Sequence, residues 1–239
     1  MYYLVLPDSS TYDPQGSPSR IRQLARRTLA TALPRALFVT QGPRSSRSVC
    51  VTFDDGPHPE LTPRLLDVLA KEEIKATFFV VGQRAEKHPD IVRRMEAEGH
   101  VVGHHSHSHP DPVRTPILEM YRDVRAASRV LREILGHPAR FYRPPHGKLR
   151  PADLPLIWSL RQTIVLWNVD PKDFAQPSAV HLGDWFATRP LRGGDLILLH
   201  DWFPQALAAM PTLAARVRRE GLQFGSLEQW TRWLPVETW

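Results

Sequence analysis

Val49-Cys50-Val51-Thr52-Phe53-Asp54-Asp55-Gly56-Pro57 is an apolar run that ends on two adjacent carboxylates and a Gly-Pro turn. Short runs of this kind, bounded by turn residues, read as buried strands. Six more follow at Thr77–Val81, His100–Gly103, Arg140–Tyr142, Ile164–Val169, Leu196–Leu199 and Leu222–Phe224. Helical patterns lie between them at Leu61–Glu72, Ile117–Leu135 and about Gln205–Arg219. In the second of these, Tyr121, Val124, Ala127, Val130, Leu131 and Ile134 share one face. Strands alternating with helices predict an α/β fold, with about seven parallel strands in βα units forming a complete or incomplete barrel.

The reactive side chains fall at the ends of those strands. Asp54 and Asp55 follow the first and His105 follows the third, while Arg143, Asp170 and His200 close the fourth, fifth and sixth. In a parallel barrel all strand C-termini open on one face, so residues far apart in sequence converge there.

The bulk properties frame this reading. At 239 residues, 42% hydrophobic and 23% charged, the chain is long enough for one barrel with a sizeable core. Cys50 is the single cysteine, which excludes an internal disulfide, and its apolar flanks predict a buried small side chain. The net charge of +6 is concentrated at the start, where residues 1–47 carry seven arginines against Asp8 and Asp13. Basic residues do not interleave with aromatics, so no nucleic-acid partner is expected. The sequence divides into a leader at residues 1–46 and a catalytic domain at 47–239. Within the leader, residues 20–33 form a basic amphipathic stretch ending before Pro34, which packs on the barrel or makes a peripheral membrane contact. With no signal-like or membrane-spanning segment, the expected location is cytoplasmic, and membrane association follows only from the second reading of residues 20–33.

Asp54-Asp55 and the pair His105/His109 point to a metal site. Two imidazoles at i, i+4 in a helical or turn conformation aim the same way. Two nitrogen ligands and one carboxylate leave positions open for water and substrate, as catalysis needs, and the second carboxylate can handle a proton. His104 and His107 crowd the same stretch as alternative ligands or supporting groups. Zinc suits this donor set first, with cobalt, manganese or nickel able to replace it.

The chain resembles the polysaccharide deacetylases of the NodB-homology type, carbohydrate esterase family 4. Five segments carry the resemblance in order: TFDDGP at 52–57, HSHSH at 105–109, RPPHG at 143–147, DPKDF at 170–174 and LLHDW at 198–202. The resemblance implies a distorted (β/α) barrel, TIM-barrel-like, and metal-dependent removal of acetyl groups from an acetylated carbohydrate. It implies Asp55, His105 and His109 as metal ligands and Asp54 as the base acting on metal-activated water. Arg143 then orients Asp54 and lowers its pKa, His200 acts as acid toward the departing amine, and Asp170 keeps the His200 imidazole charged and oriented. The backbone N–H at His146 would share the oxyanion, and Leu198 would line the acetyl pocket. Phe174 stands where Trp is common in that pocket, and Trp202 is expected to flank substrate. His146 replaces the usual Tyr or Trp, and His104 stands where Asn is common, so metal occupancy is in question there. The implied activity is N-deacetylation of amino sugars in a glycan or glycoconjugate. O-acetyl ester hydrolysis on acetylated polysaccharide and an inactive carbohydrate-binding barrel are the alternatives.

Overall fold

The computed structural model describes residues 4–5 and 33–231. The amphipathic stretch proposed for membrane contact, all but Leu33, and the tail bearing Trp233 and Trp239 lie outside them. The strands are β1 (Leu4–Val5), β2 (Phe38–Val39), β3 (Ser48–Asp54), β4 (Thr77–Val80), β5 (Val101–His104), β6 (Phe141–Tyr142), β7 (Lys148–Leu149), β8 (Thr163–Val165), β9 (Leu196–His200) and β10 (Gln223–Phe224). The helices are α1 (Leu61–Lys71), α2 (Gly82–Lys87), α3 (Pro89–Ala97), α4 (Ile117–Leu135), α5 (Leu154–Ser159), α6 (Ala179–Thr188) and α7 (Pro204–Arg219).

Every pairing in the main sheet is parallel, in the order β10-β3-β4-β5-β6-β8-β2, with β9 also on β3. A parallel bridge between Val169 and Ile197 brings the segment after β8 against β9 and curls the sheet into the expected distorted barrel. The seven strands read from sequence are all present, in places a residue or more shorter. Sequence reading did not pick out β2. Its Phe38 and Val39, placed in the leader by composition, pair with Ile164 and Val165 of β8 and are fully buried. Separately, β1 pairs antiparallel with β7.

The period-2 alternation of a strand explains how the core positions the site. Val49, Val51 and Phe53 of β3 pack outward with residues of α1, α3, α6 and α7. Cys50, on the opposite face of the strand, packs with Val39, Phe79, Val165 and Leu196. Thr52 and Asp54 continue that inner face, so a polar rung caps an apolar interior. The interior is closed from below by Leu227 and Trp230. A Cβ at Gly42 would meet the Trp230 ring at 2.5 Å, which leaves only glycine room there. Helix α4 buries Met120, Val124, Ala127, Val130 and Leu131. It stops at Gly136, whose φ of 81° suits the left-handed cap and whose N–H bonds the Arg132 carbonyl at 2.9 Å.

Replacing Phe38 by Ala should destabilise the fold by about 3–5 kcal/mol, the usual range for emptying a buried aromatic site. Urea unfolding measures this, and a change below about 0.5 kcal/mol would mean that residues 38–39 are not part of the barrel.

Candidate active site

Asp54 ends β3 and His200 ends β9, and the two are register partners on neighbouring parallel strands. Both are buried, at 2% and 9% exposure. Arg143 follows β6 and is wholly buried. It donates to Asp54 Oδ1 at 2.6 Å and to Thr52 Oγ1 at 2.7 Å. The same guanidinium donates to the Leu166 carbonyl at 3.0 Å and the Val165 carbonyl at 3.3 Å, and lies 4.1 Å over the Phe79 ring. It is therefore fixed on several sides, and its charge is directed at one carboxylate oxygen.

Arg143 pulls the Asp54 pKa down, as expected, but it does not decide the net position. Burial is the largest influence and raises the carboxyl to about 6, despite the opposing pull of Arg143 and His200. A group with a pKa near the working pH is a better proton acceptor than a strongly acidified one.

Asp55 takes a different path from its neighbour. Its φ of 74° turns the chain out of the strand, a left-handed conformation uncommon for a residue with a side chain. Two donors converge on its carbonyl: the Trp202 indole N–H at 2.9 Å and the Arg84 guanidinium. Arg84 stacks 4.1 Å over the Trp202 ring, and His58 meets that ring edge-on at 4.7 Å. Trp202, expected beside substrate, thus braces the backbone of Asp55 and is 37% exposed.

His105 and His109 come from the turn after β5, in which Ser106 and His109 have positive φ. Asp123 of α4 holds this turn, accepting from the His107 N–H at 2.7 Å and from Ser108 through N–H and hydroxyl. The Ser106 hydroxyl accepts from the His109 N–H at 3.1 Å. The imidazole centroids of His105 and His109 lie 4.8 Å apart, so the turn does aim both rings together. His109 Nε2 is 3.3 Å and His105 Nε2 is 3.9 Å from Asp55 Oδ1.

These donors fit a divalent cation. One ligand atom from each of Asp55, His105 and His109 lies within 4.8 Å of the others. His105 Nδ1 donates to the Arg143 carbonyl at 2.7 Å, which fixes the tautomer and leaves Nε2 with its lone pair facing the cluster. Burial, chiefly, holds His105 well below its ordinary pKa and lowers His109 as well, so both rings are neutral and able to ligate. His104 stays out of the cluster: it is buried beneath α4, with Nε2 3.1 Å from the Ser128 hydroxyl. His107 is not among the grouped donors either.

Asp170 is not the partner of His200. Asp173 accepts from His200 Nδ1 at 2.8 Å and from its backbone N–H at 2.7 Å. Asp170 instead closes a local turn, accepting from the Lys172 N–H at 2.9 Å. Lys172, with φ 53°, then sends the chain inward to bury Asp173 completely. Burial alone would lower the His200 pKa, but the Asp173 charge and hydrogen bond, with Asp55 and Asp54, raise it to about 9.

Phe174 meets the His200 ring edge-on at 5.6 Å. Leu198 packs with Leu166 and Trp167, and His146, with φ 57°, stands edge-on to His109 at 4.8 Å. Sequence reading missed Arg84 and Asp201 as well as Asp173. Asp201 is buried and accepts from the Thr62 hydroxyl at 2.5 Å, and a Cβ at Gly56 would lie 2.1 Å from its Oδ2.

A parallel barrel that gathers a cation cradle and buried proton-transfer groups at its strand C-termini belongs to the metal-assisted hydrolases. Within that class the chain is a member of the polysaccharide deacetylase family, whose profile matches residues 41–158. It is 35% identical over 199 residues to a chitooligosaccharide deacetylase of Bradyrhizobium sp. (strain ANU 289), covering 77% of this chain and 90% of the relative. It superposes with a TM-score of 0.78 and 31% identity on a peptidoglycan N-acetylglucosamine deacetylase solved in complex with 4-naphthalen-1-yl-N-oxidanyl-benzamide, covering 85% and 95% of the two chains. A family 4 carbohydrate esterase from Streptomyces lividans in complex with acetate aligns with a TM-score of 0.71 and 29% identity over 78% of this chain and 96% of that one.

Asp173→Asn should bring the His200 pKa down from about 9 to below about 7, because burial then acts against a weaker partner. Asp170→Asn should leave it in place. Imidazole titration by NMR reads both. A raised folded pKa stabilises fully below about 6.5 and loses that contribution as pH rises through about 9. The stability difference between wild type and Asp173→Asn should therefore shrink over that interval.

Proposed function

We propose that this protein hydrolyses the N-acetyl group of N-acetylated amino sugars in a glycan or glycoconjugate. The observation that carries the reading is the pairing of Asp54 with Arg143 and of His200 with Asp173 at one rung, beside the Asp55, His105 and His109 cluster. The names of the relatives, deacetylases of chitooligosaccharide and of peptidoglycan N-acetylglucosamine, support the same substrate class. Zinc is the proposed ion, on the strength of two imidazoles and one carboxylate. Bound there, a divalent cation would supply Lewis-acid polarisation and a nucleophile at neutral pH.

The chain's own groups divide the proton work. Asp54, held near pH 6 by burial, accepts a proton from the attacking water. Arg143 fixes the orientation of that carboxylate and balances its charge in a dry interior. His200 stays protonated up to about pH 9 and delivers a proton to the amine as the carbon–nitrogen bond breaks. Asp173 is the positioning residue for His200, in the place first expected of Asp170. An ester releases an alkoxide that needs less help from an acid, so a strongly held imidazolium favours amides.

Acetate release from N-acetylglucosamine oligomers should exceed release from acetylxylan and should be lost on chelation and restored by zinc. Asp54→Asn and His200→Ala should each lower kcat by about 10²–10⁴, the usual value of one acid or base. Equal or faster turnover of acetylxylan, or a His200→Ala enzyme of unchanged kcat on the oligomers, would overturn the reading.

A further inference from the structure

On the outer flank of the barrel, where β6 and β8 begin, lies a cavity of about 710 Å³ that the catalytic residues do not line. One wall is α4, with Arg125, Arg129 and Arg132 at i, i+4 and i+7, a single helical face. Arg140 and Arg161 stand in the segments that open onto β6 and β8, and Gln162 lies beside them. Gln162 is buried at 3% exposure and donates to the Ala139 carbonyl at 3.0 Å, which ties the two strand starts together.

We infer that this cavity binds a small ligand carrying two or more phosphate groups. Among the described residues, Arg125, Arg129, Arg132 and Arg161 have no carboxylate partner. Like charges at i, i+4 repel one another, so the row opposes helix formation unless something anionic covers it. The helix's own acids do not do so: Asp123 is committed to the turn at 107–108, and neither Glu119 nor Glu133 lines the cavity. All the basic groups are arginines. The planar guanidinium fork matches phosphate oxygens two at a time, which an ammonium cannot do. Arg125 to Arg132 spans about 10 Å along the helix, too far for one phosphate to meet both ends. The concave shape and a volume within the small-ligand range favour an enclosed headgroup or metabolite over a flat surface. The polyphosphate chemistry is common to a soluble phosphorylated compound and to the headgroup of a phosphorylated lipid.

The probe is inorganic tripolyphosphate, titrated calorimetrically into the zinc-loaded protein at about 0.15 M salt, where weak surface attraction is screened. Saturable binding of one equivalent is expected in wild type, with Kd raised at least about tenfold in Arg125→Ala/Arg129→Ala and, on the opposite wall, in Arg161→Ala. Chelation of the catalytic ion occurs equally in all of these proteins and cancels in the comparison. Circular dichroism confirms that the variants are folded, and should the double variant fail, Arg161→Ala decides alone. No saturable binding, or the same Kd in folded variants, would overturn the inference. Co-sedimentation with phosphatidylcholine vesicles, with and without cardiolipin, whose headgroup carries two phosphates, separates the sources. Arginine-dependent sedimentation that tripolyphosphate reverses assigns a lipid headgroup, and tripolyphosphate binding without sedimentation assigns a soluble compound.

Discussion

The ion pair between Arg143 and Asp54 is the constraint on which the site depends. A guanidinium at 0% exposure beside a carboxylate at 2% is stable only with further acceptors for its other N–H groups. Here Thr52, Val165 and Leu166 provide them, from the strand that carries Asp54 and from β8 with the residue that follows it. The pair thereby links two sides of the barrel and sets the distance between the Asp54 carboxylate and the imidazoles. Without Arg143, the buried carboxyl would be neutral over a wide pH range.

Around this pair the structure separates two tasks that adjacent residues might have confused. Asp54 continues the inward face of β3, whereas the positive φ of Asp55 redirects its side chain toward His105 and His109. Trp202 and Arg84 hold the Asp55 carbonyl and so stabilise a backbone conformation that would otherwise be strained. Two consecutive carboxylates thus reach different partners through one backbone angle.

Much of this was legible in the sequence because it follows from period. Apolar runs ending in polar residues gave the parallel strands, and α4 was bounded correctly at Ile117 and Leu135 by a proline before it and a glycine after it. The strand-end rule identified Asp54, Asp55, His105, Arg143 and His200. It failed at Asp170, which follows the isolated bridge at Val169, well past the end of β8, and turns into a local hydrogen bond with Lys172. Nothing in DPKDF distinguishes the acid that closes a turn from the one carried inward, because the left-handed Lys172 between them is a tertiary choice. Phe38-Val39 was too short to register as a strand, and its burial comes from tertiary neighbours: β8, the barrel interior, and residues of α4 and α5. The net balance at Asp54 was not legible for a related reason: charge neighbours can be guessed from a motif, but the depth of burial cannot.

Asp123 binds the histidine turn with both of its carboxylate oxygens from within the second turn of α4. That helix acts as a splint, and the affinity of an ion held by His105 and His109 would include part of the free energy that keeps it wound. By thermodynamic reciprocity, an occupied cradle would protect the first turns of α4 from fraying, and loosening them would weaken the grip on the ion.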